Sequence, residues 1–272
     1  MRRRYLLAAV LLWHTPPLAA HELRLEGPLI QGGLVIGATE PDAEVRIDGR
    51  RVRVSAEGLF LIGFGRDEQG PVVLELRHAD GDVTTKRLII ESREYKLQRI
   101  DGLPAKMVTP DAESLARIRR EGALIAAVRA KDNPEPLFVG GFVWPARGPI
   151  SGVYGSQRIL NGEPRRPHFG VDVAAPEGAP VTAPADGVVA LAEGDLYYTG
   201  GTVMLDHGHG LTSVYSHMSA VAVTLGQRVA QGDIIGRVGA TGRVTGAHLD
   251  WRVNLFKTRL DPALLVGPMV EE

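Results

Sequence analysis

The 272-residue chain has no cysteine, which excludes disulfide scaffolds, thiol catalysis and cysteine-based zinc fingers in one step. Its 33 glycines and 18 prolines show no Gly-X-Y period, so they indicate tight turns rather than a collagen-like helix. There is no basic excess. Lys and Arg number 31 against 32 Asp and Glu, which leaves no concentrated positive footprint for a nucleic acid. No apolar run reaches the roughly 20 residues needed to cross a bilayer, so no membrane span is expected in the mature chain. Intrinsic disorder is excluded as well, because 44% hydrophobic and 23% charged residues can form a core.

What is present divides into four stretches. Residues 1–20 have the pattern of an export signal: Arg2, Arg3 and Arg4, an apolar stretch from Tyr5 to Trp13, and a tail ending Leu18-Ala19-Ala20. Removing them leaves 28 basic against 32 acidic residues, a net charge of −4. Residues 21–108 predict an immunoglobulin-like β-sandwich of roughly seven short strands. The clearest signal is Val45-Arg46-Ile47-Asp48-Gly49-Arg50-Arg51-Val52, which alternates on both sides of an Asp-Gly turn. Stretches 59–64, 72–78 and 83–90 continue the pattern, and His78 is expected at the surface or rim. Residues 109–141 predict a helix and linker. Thr109 is expected as N-cap, and Leu115, Ile118, Ile125 and Val128 fall at helical spacing. Residues 142–272 are again β-rich, with strands expected near 181–183, 187–192, 202–206, 212–217, 234–238 and 249–255, and no helix.

Five of the eight histidines lie in this last stretch, at 168, 207, 209, 217 and 248. His168-Phe169-Gly170-Val171-Asp172 places an imidazole and a carboxylate four residues apart, both competent ligands for Zn²⁺. His248-Leu249-Asp250 adds a pair at strand spacing, where residues i and i+2 share a face. His217, after Val214-Tyr215, is a third candidate. His207-Gly208-His209 imitates a ligand pair, but Gly208 and Gly210 mark a turn, so a structural role is expected there.

His168-x-x-x-Asp172, Tyr215-Ser216-His217-Met218 and Thr241-Gly242-Arg243-Val244-Thr245-Gly246-Ala247-His248-Leu249-Asp250 together resemble the M23 zinc metallopeptidases, the LytM-type or lysostaphin-like peptidases. Pro180-Val181-Thr182-Ala183-Pro184, Asp206-His207-Gly208 and Gly232-Asp233-Ile234-Ile235-Gly236 extend the likeness over about residues 142–266. The resemblance implies an antiparallel β peptidase domain that hydrolyses peptide stems or cross-links of bacterial peptidoglycan, exported, most naturally to a periplasm. It makes His168 and Asp172 ligands of Zn²⁺ and places His217 and His248 beside the metal-bound water and scissile carbonyl, with their roles not apportioned. The family's third ligand is the second histidine of a His-x-His motif, and here that position is Asp250.

Two readings follow from Asp250. Either it ligates through oxygen and completes a His-Asp-Asp set with one open position, or the site is degenerate and the domain binds peptidoglycan or activates an amidase without cutting. The persistence of His168, Asp172, His217 and His248, with a competent ligand as the replacement, favours the active reading. Biotinyl or lipoyl carriers are excluded because 142–256 contains no lysine, and no Gly-x-Ser-x-Gly elbow surrounds Ser151, Ser156 or Ser216. A glycosidase needs two separated carboxylates, but the nearby imidazoles favour metal chemistry. Residues 157–166 are expected to shape the groove. The sequence names no protein partner and does not fix which peptidoglycan bond is cut.

Overall fold

The computed structural model describes residues 22–269. The predicted export segment lies outside the described residues. Among the described residues the chain is mostly β, and no helix is long and apolar enough to cross a membrane.

The N-terminal unit has seven strands: β1 (Arg24–Glu26), β2 (Leu34–Ala38), β3 (Glu44–Ile47), β4 (Arg50–Val52), β5 (Leu59–Gly63), β6 (Pro71–Arg77) and β7 (Val83–Ile89). They form two antiparallel sheets, β1-β2-β5 and β4-β3-β6-β7. The β3–β4 turn is made by Asp48 and Gly49, both at positive φ (47° and 75°), the geometry that closes a two-residue hairpin. Alternation along β6 buries Val72, Leu74 and Leu76 against Val35, Phe60 and Ile62 of the facing sheet. Each such side chain contributes roughly 1.5–3 kcal/mol. His78 departs from expectation. It is buried, with Nδ1 2.6 Å from Glu40 and Nε2 2.8 Å from Thr84, because a fully bonded imidazole can be buried at little cost.

The chain then leaves this unit through β8 (Leu97–Ile100), a short helix α1 (Ala105–Val108) and the long helix α2 (Ala112–Arg129). The cap of α2 is Asp111 rather than the expected Thr109. Its carboxylate accepts from the Ser114 amide at 2.7 Å, and a charged acceptor at the positive helix end outcompetes a hydroxyl two residues earlier. Val128 is buried and Ile125 half-buried against Leu191, Leu196 and Met204, whereas Leu115 is exposed.

The C-terminal unit comprises β9 (Ile150–Gly152), β10 (Gln157–Leu160), β11 (Glu163–Pro164), β12 (Val171–Ala174), β13 (Pro180–Thr182), β14 (Gly187–Leu196), β15 (Gly200–Asp206), β16 (Leu211–Met218), β17 (Ala220–Val221), β18 (Arg228–Val229), β19 (Ile234–Arg237), β20 (His248–Leu255) and β21 (Thr258–Leu260). Its main sheet runs β18-β14-β15-β16-β20-β12-β9, with β21 on β20, and a small sheet β13-β19-β17 packs on it. Tyr215, Trp251, Val173, Leu249 and Val203 form the shared core with Val181, Ile235 and Val238.

The two units are docked. Leu34 and Leu61 join the C-terminal core, Arg93 pairs with Asp261 at 2.7 Å, and the Asp261 amide donates to the Gly32 carbonyl at 2.8 Å. Strand β8 pairs in parallel with β10, and β11 completes that three-stranded sheet.

Candidate metal centre

Three neighbouring strands set the site. In the β12–β20 ladder Asp172 lies opposite Asp250, and Asp250 lies opposite Ser216 of β16. Their strand neighbours Val171, Val173, Leu249 and Trp251 point into the core, so alternation turns both carboxylates to the other face. Two glycines clear the space. A Cβ at Gly152 would stand 2.1 Å from Asp172 Oδ2, and one at Gly170 would stand 2.7 Å from Asp250 Oδ1.

His168 enters from the loop before β12. Its backbone is pinned by bonds between its amide and the Ser156 carbonyl and between its carbonyl and the Gly155 amide, at 2.8 and 2.7 Å. Its Nε2 lies 3.0 Å from Asp172 Oδ1, yet neither atom makes a hydrogen bond among the described residues, and both are buried. One donor atom each from His168, Asp172 and Asp250 lies within 4.8 Å of the others. Two such atoms facing each other in a buried place are satisfied by a proton or a metal ion held between them. A nitrogen-and-oxygen set of this size fits a divalent transition metal, zinc among them.

His217 reaches the same face by a β-bulge. Tyr215 pairs with Val203 and Met218 with Gly201, so Ser216 and His217 together oppose Thr202. Strict alternation would place His217 with the core. The surplus residue places Met218 there instead and leaves His217 in the cleft, at a φ of 69°. Its Nδ1 donates to the Thr241 carbonyl at 2.9 Å, which leaves Nε2 as the lone-pair nitrogen, 3.9 Å from Asp250 Oδ2. Burial pushes this imidazole down to about 4, so it is neutral at neutral pH. His248 is similar: Nδ1 donates to the Gly246 carbonyl at 2.9 Å and Nε2 stands 3.9 Å from Asp172 Oδ1. The two rings lie 4.9 Å apart.

Two arginines that the motifs do not mark complete the centre. Arg158 donates to Asp172 Oδ2 at 2.7 Å, and Arg252 donates to both oxygens of Asp250, from Nε to Oδ1 at 2.9 Å. Burial raises the Asp250 carboxyl, but the Arg252 charge overrides it and holds the group far below the carboxylate range. Burial likewise raises Asp172, and His168 and Arg158 keep it below its ordinary value. Arg252 was findable, because it stands two residues after Asp250 on one strand face. Arg158 arrives from β10 and has no local signal.

His207 and His209 are not part of this cluster. They sit in the β15–β16 turn, at the other end of the hairpin from His217. His207 Nδ1 donates to the Asp186 carbonyl at 2.6 Å and Nε2 bonds Ser213 Oγ at 2.7 Å. His209 packs edge-on against Phe138.

The site opens into a cleft of about 380 Å³. Asp172, His217, His248 and Asp250 line one end, and Ile118 and Ile125 of α2 with Leu103 and Leu160 form an apolar wall. The linking segment therefore contributes a side of the cleft. Arg158 and Leu160 bring the expected 157–166 stretch to it as well.

Residues 166–262 match the model of Peptidase family M23. A crystal structure from Pseudomonas aeruginosa described as a peptidase M23 superposes with a TM-score of 0.66 at 32% identity, over 87% of this chain and 94% of that one. Among curated proteins, the DD-carboxypeptidase/endopeptidase Mpg of Neisseria meningitidis is 40% identical over 39% of this chain and 24% of its own. The peptidoglycan DD-endopeptidase ShyA of Vibrio cholerae is 42% identical over 32% of this chain and 20% of its own. The chain therefore matches less than a quarter of the length of these two curated relatives.

Proposed function

The chain belongs to peptidase family M23, and from that premise we propose that it is an exported, zinc-dependent endopeptidase acting on peptide cross-links of bacterial peptidoglycan, in the periplasm. The observation that carries this reading is the buried, unbonded pair of His168 Nε2 and Asp172 Oδ1, 3.0 Å apart, with Asp250 within ligand distance. The names of the relatives above support the substrate class and the DD bond.

His168, Asp172 and Asp250 would hold the ion. When bound, zinc supplies Lewis-acid activation of water and of the scissile carbonyl. His217 is the proposed proton acceptor: its tautomer is fixed by Thr241, it is neutral, and its free Nε2 faces the cluster. His248, the more open of the two with its side chain 19% exposed, is placed to steady the developing oxyanion or hand a proton to the leaving amine. Arg158 and Arg252 hold the two carboxylates in their rotamers and offset their charge. The apolar wall from α2 excludes water from one side of a bound peptide.

One observation favours a second reading, a non-catalytic module that binds peptidoglycan or activates an amidase. Arg252 already satisfies both oxygens of Asp250. A carboxylate has about four acceptor sites, however, so the pairing leaves room for an ion. The test treats purified sacculi with the protein as isolated, after chelation, and after zinc return, and reads the released muropeptides by mass spectrometry. The proposal expects cross-links lost, retained and lost again, with close to one zinc per chain. An unchanged profile in a zinc-free protein establishes the module instead.

A further inference from the structure

The charges lining the cleft can be paired off. Glu121 accepts from Arg117 at 2.6 Å and from the Tyr197 amide at 2.8 Å, Asp172 is held by Arg158 and Asp250 by Arg252. Arg243 alone among the charged lining residues described has no carboxylate partner. It is nonetheless firmly placed. Its guanidinium carbon lies 4.3 Å above the Tyr198 ring, Nη1 donates to the Met107 carbonyl at 3.3 Å, and its amide donates to the Tyr198 carbonyl at 2.9 Å. Gly242 before it, at φ +75°, comes so close that a Cβ there would stand 2.6 Å from the Gly200 amide nitrogen. Burial lowers the proton affinity of Arg243, and Arg158, Arg252 and Arg165 add repulsion.

A planar, preorganised guanidinium that is partly desolvated, surrounded by like charge and left with free N–H donors in the same cleft as Asp172 and Asp250 is an anion receptor. We infer that Arg243 is the specificity-determining residue of this cleft, binding a free carboxylate of the peptide substrate beside the scissile bond. The inference rests on the hydrolase reading for its substrate class. Peptidoglycan stems offer that carboxylate from two sources: the C-terminal residue, or the free carboxylate of a diamino acid in the stem. Recognition of the first directs cutting near a chain end, and recognition of the second directs cutting at a cross-link.

The test titrates the full chain, as purified, by calorimetry with a stem pentapeptide ending in D-Ala-D-Ala and carrying diaminopimelate at its third position. Two amidated versions are titrated beside it, one blocked at the C-terminus and one at the diaminopimelate carboxylate. Each sample is then chromatographed for cleavage. One amidation is expected to weaken binding by about tenfold to a hundredfold, which names the source. Arg243→Gln is expected to weaken the free peptide to the level of that amide without further weakening the amide, and Arg243→Lys to recover part of the difference. A purely structural Arg243 would weaken all three peptides alike in the Gln variant, which overturns the inference. Equal binding of the three peptides by the unmodified protein, or no binding at all, overturns it without recourse to any variant. Carboxylate-dependent binding with no cleavage supports Arg243 and removes the hydrolase reading, whereas cleavage indifferent to amidation does the reverse.

Discussion

The two ends of the β15–β16 hairpin carry histidines of opposite character. At the turn, His207 spends both nitrogens, donating to the Asp186 carbonyl and accepting from Ser213, which in turn accepts from the Tyr215 hydroxyl at 2.6 Å. At the far end, His217 spends only Nδ1 and leaves Nε2 facing Asp250. Both are deeply buried and both are pushed down to about 4 by burial. Burial and proton affinity therefore do not set the two apart; the unclaimed nitrogen does. His168 lies further along the same scale, with both nitrogens unclaimed.

Breaking the chemical end should have the largest effect. His217→Ala is expected to lower peptidoglycan cleavage about a thousandfold while the chain keeps its metal, read by turnover of sacculi beside elemental analysis. Loss of metal in that variant would make His217 a ligand and redraw the site.

The turn should instead respond to acid. The folded value of His207, about 4, lies below its ordinary value, so the unfolded chain takes up a proton that the folded one refuses. Its contribution is fully present above about pH 6.5 and is lost as the pH falls towards 4, a change of about 3 kcal/mol. Urea melts of wild type and His207→Asn should show wild-type stability, relative to the variant, fall as the pH drops from 6.5 to 4, with cleavage per folded molecule unaltered at neutral pH. If the wild-type stability attributable to His207 rose on acidification, the imidazole would be charged in the fold.

The smallest effect sharpens the contrast. Ser213→Ala removes the partner of His207 Nε2 and should cost about 1–3 kcal/mol of stability with cleavage unchanged. A fall in cleavage would show that the two ends of the hairpin are coupled.

The C-terminal strands were legible because tight turns and alternating burial recur along them, and spacing marked His168, Asp172 and Asp250, which the fold brings together. The β3–β4 hairpin was equally plain from Asp48-Gly49. What the sequence hid is non-local or concerns a choice between equals. Strand β8 is polar and exposed on alternate residues, and only its partner β10 makes it a strand. Arg158 and Arg243 come to the cleft from segments 85 residues apart, with no motif to join them. His78 looked like a rim residue because Glu40, which permits its burial, lies 38 positions earlier. Thr109 and Asp111 both suit a helix start, and the charge on Asp111 decided between them.

The bulge in β16 makes the orientation of His217 a matter of counting. Were the same residues paired without the bulge, plain alternation through Met218 would rotate the imidazole into the oily interior and swing a thioether out over the aspartates. The bulged pairing, two residues against one, is what holds the imidazole over the cleft.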